Sequence, residues 1–264
     1  MTGEVRLRTL ARGRPGAPLV VFAHGVEGHW ASWESVAARL DPGWRLLALQ
    51  LPWQAGNDYR WRERRPWQWL ADGLDLVGEL PDQLVAHSFG ANAALELLCT
   101  GDPRPGRAVM LVCPFYRLPR HQVSWRMFER SRETFVRHLA DGVRARLGRR
   151  LERLEPDVVD AMVRLVLDRA GPLGFSAVFD TYVASAELEL DRVGVPTSVQ
   201  VGGADPTLPL ASAQALAGAI PGARLRVHAE RDHFFHVRHA HDIAAEVTGL
   251  HAATRVTTKV GEPR

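Results

Sequence analysis

Apolar and polar positions along the chain follow two rhythms. Apolar runs, Leu19-Val20-Val21-Phe22-Ala23, Trp44-Arg45-Leu46-Leu47-Ala48-Leu49, Leu84-Val85-Ala86 and Arg107-Ala108-Val109-Met110-Leu111-Val112-Cys113, predict buried strands. Pro196 to Val201 and Arg224 to His228 also read as strands, and Glu4 to Leu10 as an edge strand. Between them the period lengthens to that of a helix: Trp33, Val36, Ala37 and Leu40 mark one, Arg65 to Leu80 a second that closes at Pro81, Ala93 to Leu98 a third, and Ala211 to Ala219 another. Strand and helix alternate, the pattern of an α/β domain with a mostly parallel central sheet and helices on both faces. From Phe115 to Leu190 the alternation stops. Only helical spacing remains there, as in Met127, Phe128, Phe135, Leu139 and then Val158, Val159, Met162, Val163, Leu165, Val166. The expected organisation is a core of residues 1–114 and 191–250, a helical insertion at 115–190, and a flexible polar tail at 251–264.

Candidate chemistry gathers where strands end. The run Leu84-Val85-Ala86 stops at His87-Ser88-Phe89-Gly90 and a helix follows directly. Small residues two positions either side of Ser88 allow a strained turn that pushes the hydroxyl up from the sheet. The run Leu19–Ala23 stops at His24-Gly25-Val26-Glu27-Gly28, where glycines free the backbone to aim an amide at developing negative charge. Pro196–Val201 stops at Gly202-Gly203-Ala204-Asp205, and Arg224–His228 leads to Arg231-Asp232-His233.

These motifs, in this order, resemble the α/β-hydrolase family. Ala86-His87-Ser88-Phe89-Gly90 is similar to its G-x-S-x-G nucleophile elbow, with Ala86 in place of the first glycine, and His24–Gly28 to its H-G-x-x-G oxyanion loop. The resemblance implies Ser88 as nucleophile, Asp205 as the orienting acid, His233 as the base with His236 in reserve, and the N–H groups of Val26 and Phe89 as the oxyanion hole. It further implies that the helical insertion is a lid and that neither metal nor organic cofactor is used. The loop Gln50-Leu51-Pro52-Trp53-Gln54-Ala55-Gly56-Asn57-Asp58 matches the family's Asp-x-Pro-Gly-x-Gly-x-Ser loop only in part, and no acid follows Cys113 closely. A hydroxyl is a weak nucleophile at neutral pH, so the set is needed as a whole: His233 takes the proton of Ser88 and returns it to the leaving group, while Asp205 fixes the tautomer. Hydrolysis of a carboxylic ester or thioester through an acyl-enzyme is the expected reaction. The alternatives are a non-hydrolytic biosynthetic or binding protein on this fold, and a carbon–carbon bond hydrolase or acyltransferase using the same residues.

Composition alters this picture little. The chain has 264 residues, enough for one large domain. Its formal charge is +3, with two cysteines that form no metal-type pair, so neither a nucleic-acid binder nor a disulfide framework is indicated. Neither a signal-like stretch before Pro18 nor an apolar run of membrane-spanning length occurs, and a cytoplasmic location is expected. The histidines at 228, 233, 236, 239 and 241 admit a metal site, but no carboxylate or thiol completes a ligand spacing. Seven of the eight tryptophans lie between Trp30 and Trp69; with His24, Trp30 and Trp53 are the candidates for touching a substrate, the rest being packing residues. Between Arg117 and Arg153 eleven arginines stand against four acids. That is the pattern of a solvated helix face, or else of a surface for an acidic carrier protein or an anionic substrate.

Overall fold

The structure, a computed structural model, describes residues 4–260. Among the described residues seven strands form one sheet: β1 (Arg6–Ala11), β2 (Leu19–Ala23), β3 (Arg45–Gln50), β4 (Gln83–His87), β5 (Val109–Val112), β6 (Thr197–Gly202) and β7 (Arg224–His228), in the order β1-β3-β2-β4-β5-β6-β7. Only β1 runs antiparallel to its neighbour; every other pairing is parallel. The edge strands carry Arg6 and Arg8 on one side and Arg224 and Arg226 on the other, charges that discourage further strand addition. The central strands β2, β4 and β5 are buried along their whole length.

Among the described residues the α-helices are α1 (Glu34–Ala37), α2 (Pro66–Asp75), α3 (Phe89–Cys99), α4 (Trp125–Leu147), α5 (Pro156–Ala184, broken at Gly171-Pro172), α6 (Leu210–Ala219), α7 (Phe235–Arg238) and α8 (Ala240–Val260). Strand side chains alternate between two cores, as the pleat requires. Leu19, Val21 and Ala23 of β2 pack with Leu84 and Ala86 of β4 against α2, α3 and α6. Val20, Phe22 and Val85 point the other way, to α8 and the turn bearing Trp33 and Val36. The run α4–α5 lies between β5 and β6 and has its own apolar cluster of Phe135, Leu139, Val143, Val166, Ala170 and Phe175.

Three expectations change. Helix α2 stops at Asp75 rather than running to Leu80, because Leu76 and Leu80 find no core and are exposed, and Gly78 turns the chain at φ 77°. Phe115, Tyr116 and Leu118 pack with the main core, so the helical excursion is shorter than 115–190. The stretch read as a flexible tail instead continues α8 through Val260: Ile243, Val247 and Leu250 anchor that helix, and His251 packs its ring 4.9 Å from Trp44. Residues 261–264 of that expected tail lie outside the described residues. Among the described residues no helix is long and apolar enough to cross a membrane.

Candidate active site

Because β2, β4, β6 and β7 are parallel, the loops that follow them open on one edge of the sheet, where α/β folds build their sites. Ser88 sits between β4 and α3 at φ 52°, ψ −121°, a backbone conformation that costs a residue with a Cβ about 1–3 kcal/mol. Its own N–H donates to the Val112 carbonyl at 2.8 Å and all of α3 is buried behind it, which holds the turn in place. Two glycines permit the approach of the oxyanion loop. A Cβ at Gly90 would meet the His24 carbonyl oxygen at 2.5 Å, and one at Gly25 would meet the Ser88 Cβ at 3.0 Å. Ala86, fully buried between β2 and β5, fits where the elbow pattern has glycine.

The turn after β6 brings Asp205 inward, and Gly202 lets the backbone of Arg231 and Asp232 cross it closely, delivering His233. His233 Nδ1 lies 2.7 Å from Asp205 Oδ2 and Nε2 lies 2.9 Å from Ser88 Oγ. Since a carboxylate only accepts, the Nδ1 proton points at Asp205 and the Nε2 lone pair faces the serine hydroxyl. The Thr207 N–H also donates to Asp205, at 2.9 Å. Burial alone would raise the Asp205 carboxyl; the charge and hydrogen bond of His233, with the hydrogen bond from Thr207, outweigh it and hold Asp205 well below the carboxylate range. The imidazole is braced from behind, where His87 Nε2–H donates to the His233 carbonyl at 2.9 Å. His236, the reserve base, is not brought to Ser88: its ring lies tilted against His87 with centroids 3.9 Å apart, and burial pushes it down to about 3.

Next to Ser88, Val26 and Phe89 have amides with no hydrogen-bond acceptor among the described residues, whereas the following amides of Glu27 and Gly28 are spent on Trp53 and Gly25 carbonyls. A cavity of about 390 Å³ opens over Ser88 and His233, with Val26 in its wall. The three expected substrate contacts do not line it. His24 is locked into the loop: Leu51 N–H donates to its Nε2 at 3.1 Å, its Nδ1–H donates to the Gly25 carbonyl at 2.8 Å, and burial lowers it to about 4. Trp53 is buried, donating its indole N–H to the His24 carbonyl at 3.0 Å and meeting Phe89 edge-on. Trp30 lies beneath the Arg8 guanidinium at 5.8 Å. The aromatic walls come instead from Phe115, Phe135, Phe175, Phe179 and Tyr182, because the excursion after β5 folds over the site.

Two features escape the sequence pattern. His138 of α4 stacks on His233 with ring centroids 4.2 Å apart and planes within 11°, its Nε2 3.6 Å from Asp205 Oδ1. Glu27, a variable position of the oxyanion loop with φ 51°, buries its carboxylate against Arg169 of α5 and accepts from the Tyr59 hydroxyl at 3.0 Å, while Arg146 of α4 donates to its carbonyl. The groups that meet there are up to 142 positions apart, so no spacing announces them. Among the described residues, the one group able to converge on a metal is Cys113, Asp205 and His233. The Cys113 thiol is pushed up by burial and by Asp205, and an ion there would have to break the Asp205–His233 hydrogen bond, so this donor set does not fit one. The histidine-rich stretch forms no such group.

A sequence profile of the alpha/beta hydrolase family matches residues 20–246. The chain belongs to the α/β-hydrolase family. Solved structures share its fold across nearly the whole length. An enol-lactonase from Burkholderia xenovorans LB400 is 21% identical over 94% of this chain and 96% of that one, with a TM-score of 0.64. A thioesterase domain from the curacin biosynthetic pathway is 19% identical over 94% and 95%, TM-score 0.64. A haloalkane dehalogenase from Bradyrhizobium elkani USDA94 is 19% identical over 97% of both chains, TM-score 0.62. At such identities the likeness is one of fold. The search of curated proteins finds no match. The protein is thus an α/β hydrolase whose reaction has to be read from its own site.

Proposed function

We propose that this α/β hydrolase is a cytoplasmic serine hydrolase that cleaves a carboxylic ester or thioester through an acyl-enzyme. The observation that carries the reading is the unbroken line Ser88 Oγ, His233, Asp205, with contacts of 2.9 and 2.7 Å. Ser88 attacks the carbonyl as His233 Nε2 takes its proton; Asp205 stabilises the imidazolium that forms. The free amides of Val26 and Phe89 then meet the new oxyanion. Such a pair of donors serves a carbonyl that becomes tetrahedral, which together with a serine nucleophile fits acyl transfer. His233 returns the proton to the leaving group, and water repeats the sequence on the acyl-enzyme. Helices α4 and α5 serve as the lid, excluding water from the first step while their aromatic side chains hold the acyl group.

Fluorophosphonate labelling tests this reading. Wild type forms a covalent adduct and turns over a neutral p-nitrophenyl ester, while Ser88→Ala does neither. Asp205→Asn keeps the fold and loses about 10⁴-fold in kcat by stabilising the wrong histidine tautomer. Labelling of Ser88→Ala equal to wild type, or near-normal turnover by Asp205→Asn, rejects the mechanism.

A further inference from the structure

The cavity over Ser88 has apolar and basic walls. Phe135 and Leu139 from α4 and Phe175, Val178 and Phe179 from α5 supply apolar side chains. Toward the N-terminus of α4 the walls turn basic. Of the eleven arginines between Arg117 and Arg153, only Arg126, Arg130 and Arg146 line the cavity, and Arg146 is engaged by the Glu27 carbonyl. Among the described residues Arg126 and Arg130 have no ion-pair or hydrogen-bond partner, unlike Arg144, paired with Asp141, or Arg169, paired with Glu27. Glu27 is the one acid in the described walls, and its carboxylate is taken by Arg169 and Tyr59. Arg130 also lies close enough to Tyr182, another wall residue, for its charge to act on that hydroxyl.

Arg126 and Arg130 are exposed, as Arg132 and Arg137 are, but unlike those two they also line the cavity. Positions 126, 130, 134 and 138 recur every four residues along one face of α4, and all four line the cavity. His138, at one end of that stripe, stacks on His233. At 1.5 Å rise per residue, Arg130 stands about 12 Å and Arg126 about 18 Å along the axis from His138. An extended chain covers roughly 1.2 Å per bond, so this span corresponds to roughly 10–15 bonds.

We propose that Arg126 and Arg130 form an anion subsite at the far, exposed end of the cavity, selecting esters or thioesters whose carboxylate or phosphate lies roughly 10–15 bonds from the scissile carbonyl. The guanidinium forks match either anion with paired N–H donors, the phenylalanine walls shelter the chain between, and unopposed positive charge draws the anion in. The proposal rests on the acyl-enzyme reading for the bond cleaved. The Arg126–Arg130 pair then decides which ester is used.

The test is a length series of p-nitrophenyl esters of ω-carboxy acids, each paired with its methyl-capped, neutral counterpart. The charged member is preferred by at least about tenfold in kcat/KM at the matching length, a preference that shrinks with added salt. In the double variant R126A/R130A the ratio of charged to neutral falls to near unity, and in Arg149→Ala, outside the cavity walls, it stays at the wild-type value. A second arm compares a coenzyme A thioester with the N-acetylcysteamine thioester of the same acid. Preference in the first arm puts the anion on the acyl group, and preference in the second puts it on the leaving group. Equal rates for charged and neutral members in both arms, or a preference that survives in R126A/R130A, overturns the subsite. Failure to turn over any member, neutral ones included, counts against the acyl-enzyme reading instead. In that event calorimetric titration with the unreactive amide analogues reads the subsite directly: tighter binding of the charged amide, lost in R126A/R130A, supports it, and equal binding overturns it.

Discussion

Gly90→Ala places one methyl group where the elbow and the oxyanion loop touch. The new Cβ would lie 2.5 Å from the His24 carbonyl oxygen and 3.3 Å from that of Ala23, whereas ordinary contact begins at 3.4 Å. The obstruction is backbone, with no rotamer to move aside. The His24 carbonyl is also fixed by the Trp53 indole at 3.0 Å, and its ring by Leu51 and Gly25, so relief means moving the loop by nearly 1 Å. Overpacking of this kind costs about 1–3 kcal/mol of stability. The loop that moves carries the Val26 amide, and misplacing a catalytic group by about 1 Å costs on the order of 10²-fold. The expected result is thus a lowered melting temperature together with kcat for a neutral ester reduced about 100-fold, measured on protein shown to be folded by circular dichroism. Gly218→Ala is the matched control: it lies on α6, its Cβ meets nothing within 4 Å, and removing a helical glycine should stabilise the protein by up to about 1 kcal/mol with turnover unchanged. A Gly90→Ala enzyme with wild-type kcat and melting temperature refutes the claim that this contact positions the oxyanion loop.

What could be read from the sequence was what depends on neighbours along the chain. The apolar runs gave β2 and β4 because burial on both faces needs no knowledge of the partner strand, and Ser88 declared itself through Gly90 and the small residue at 86, both within two positions. Asp205 and His233 were legible for the same reason: each closely follows a strand. What depends on distant groups was not. Trp53 looks like a pocket residue in a tryptophan-rich segment, yet its indole is consumed by the His24 carbonyl and its ring by Phe89 and Trp61. His138 is lost among arginines until α4 folds back over the sheet and lays it on His233. The end of α8 was misread because residues beyond Leu250 show no apolar periodicity of their own, while the anchored helix before them carries the hydrogen-bond ladder onward.

Three further outcomes follow from the way α4, α5 and the histidines are held. Arg169→Ala leaves the Glu27 carboxylate, 4% exposed, without its cation; the loss should be about 3 kcal/mol, the low end for a broken buried pair because Arg169 itself is 31% exposed. Adding Glu27→Gln should recover part of it in thermal denaturation, and strictly additive losses would show the two are not coupled. Burial holds folded His24 at about 4 and His138 and His236 at about 3, against 6.5 in the unfolded chain, so below 6.5 the unfolded state binds protons that the folded state refuses. Stability should therefore be level with respect to these groups above that pH and fall by about 1.4 kcal/mol per unit for each histidine as pH drops toward 4, read from urea midpoints; identical midpoints at pH 7.5 and about 5 would contradict the burial of neutral rings. The last outcome separates two roles for His138. Its nitrogen, 3.6 Å from Asp205, is too far for a hydrogen bond, and a ring held neutral down to about 3 brings no charge to the carboxylate. Apart from a 3.3 Å contact of its ring with the Thr207 hydroxyl, what it offers His233 is the stack at 4.2 Å, which fixes the plane of that imidazole. His138→Phe keeps that brace and should retain kcat within about threefold, whereas His138→Ala frees the imidazole and should lose about tenfold with KM for a short neutral ester little changed. If phenylalanine is as damaging as alanine, the nitrogen matters and the stacking argument is wrong.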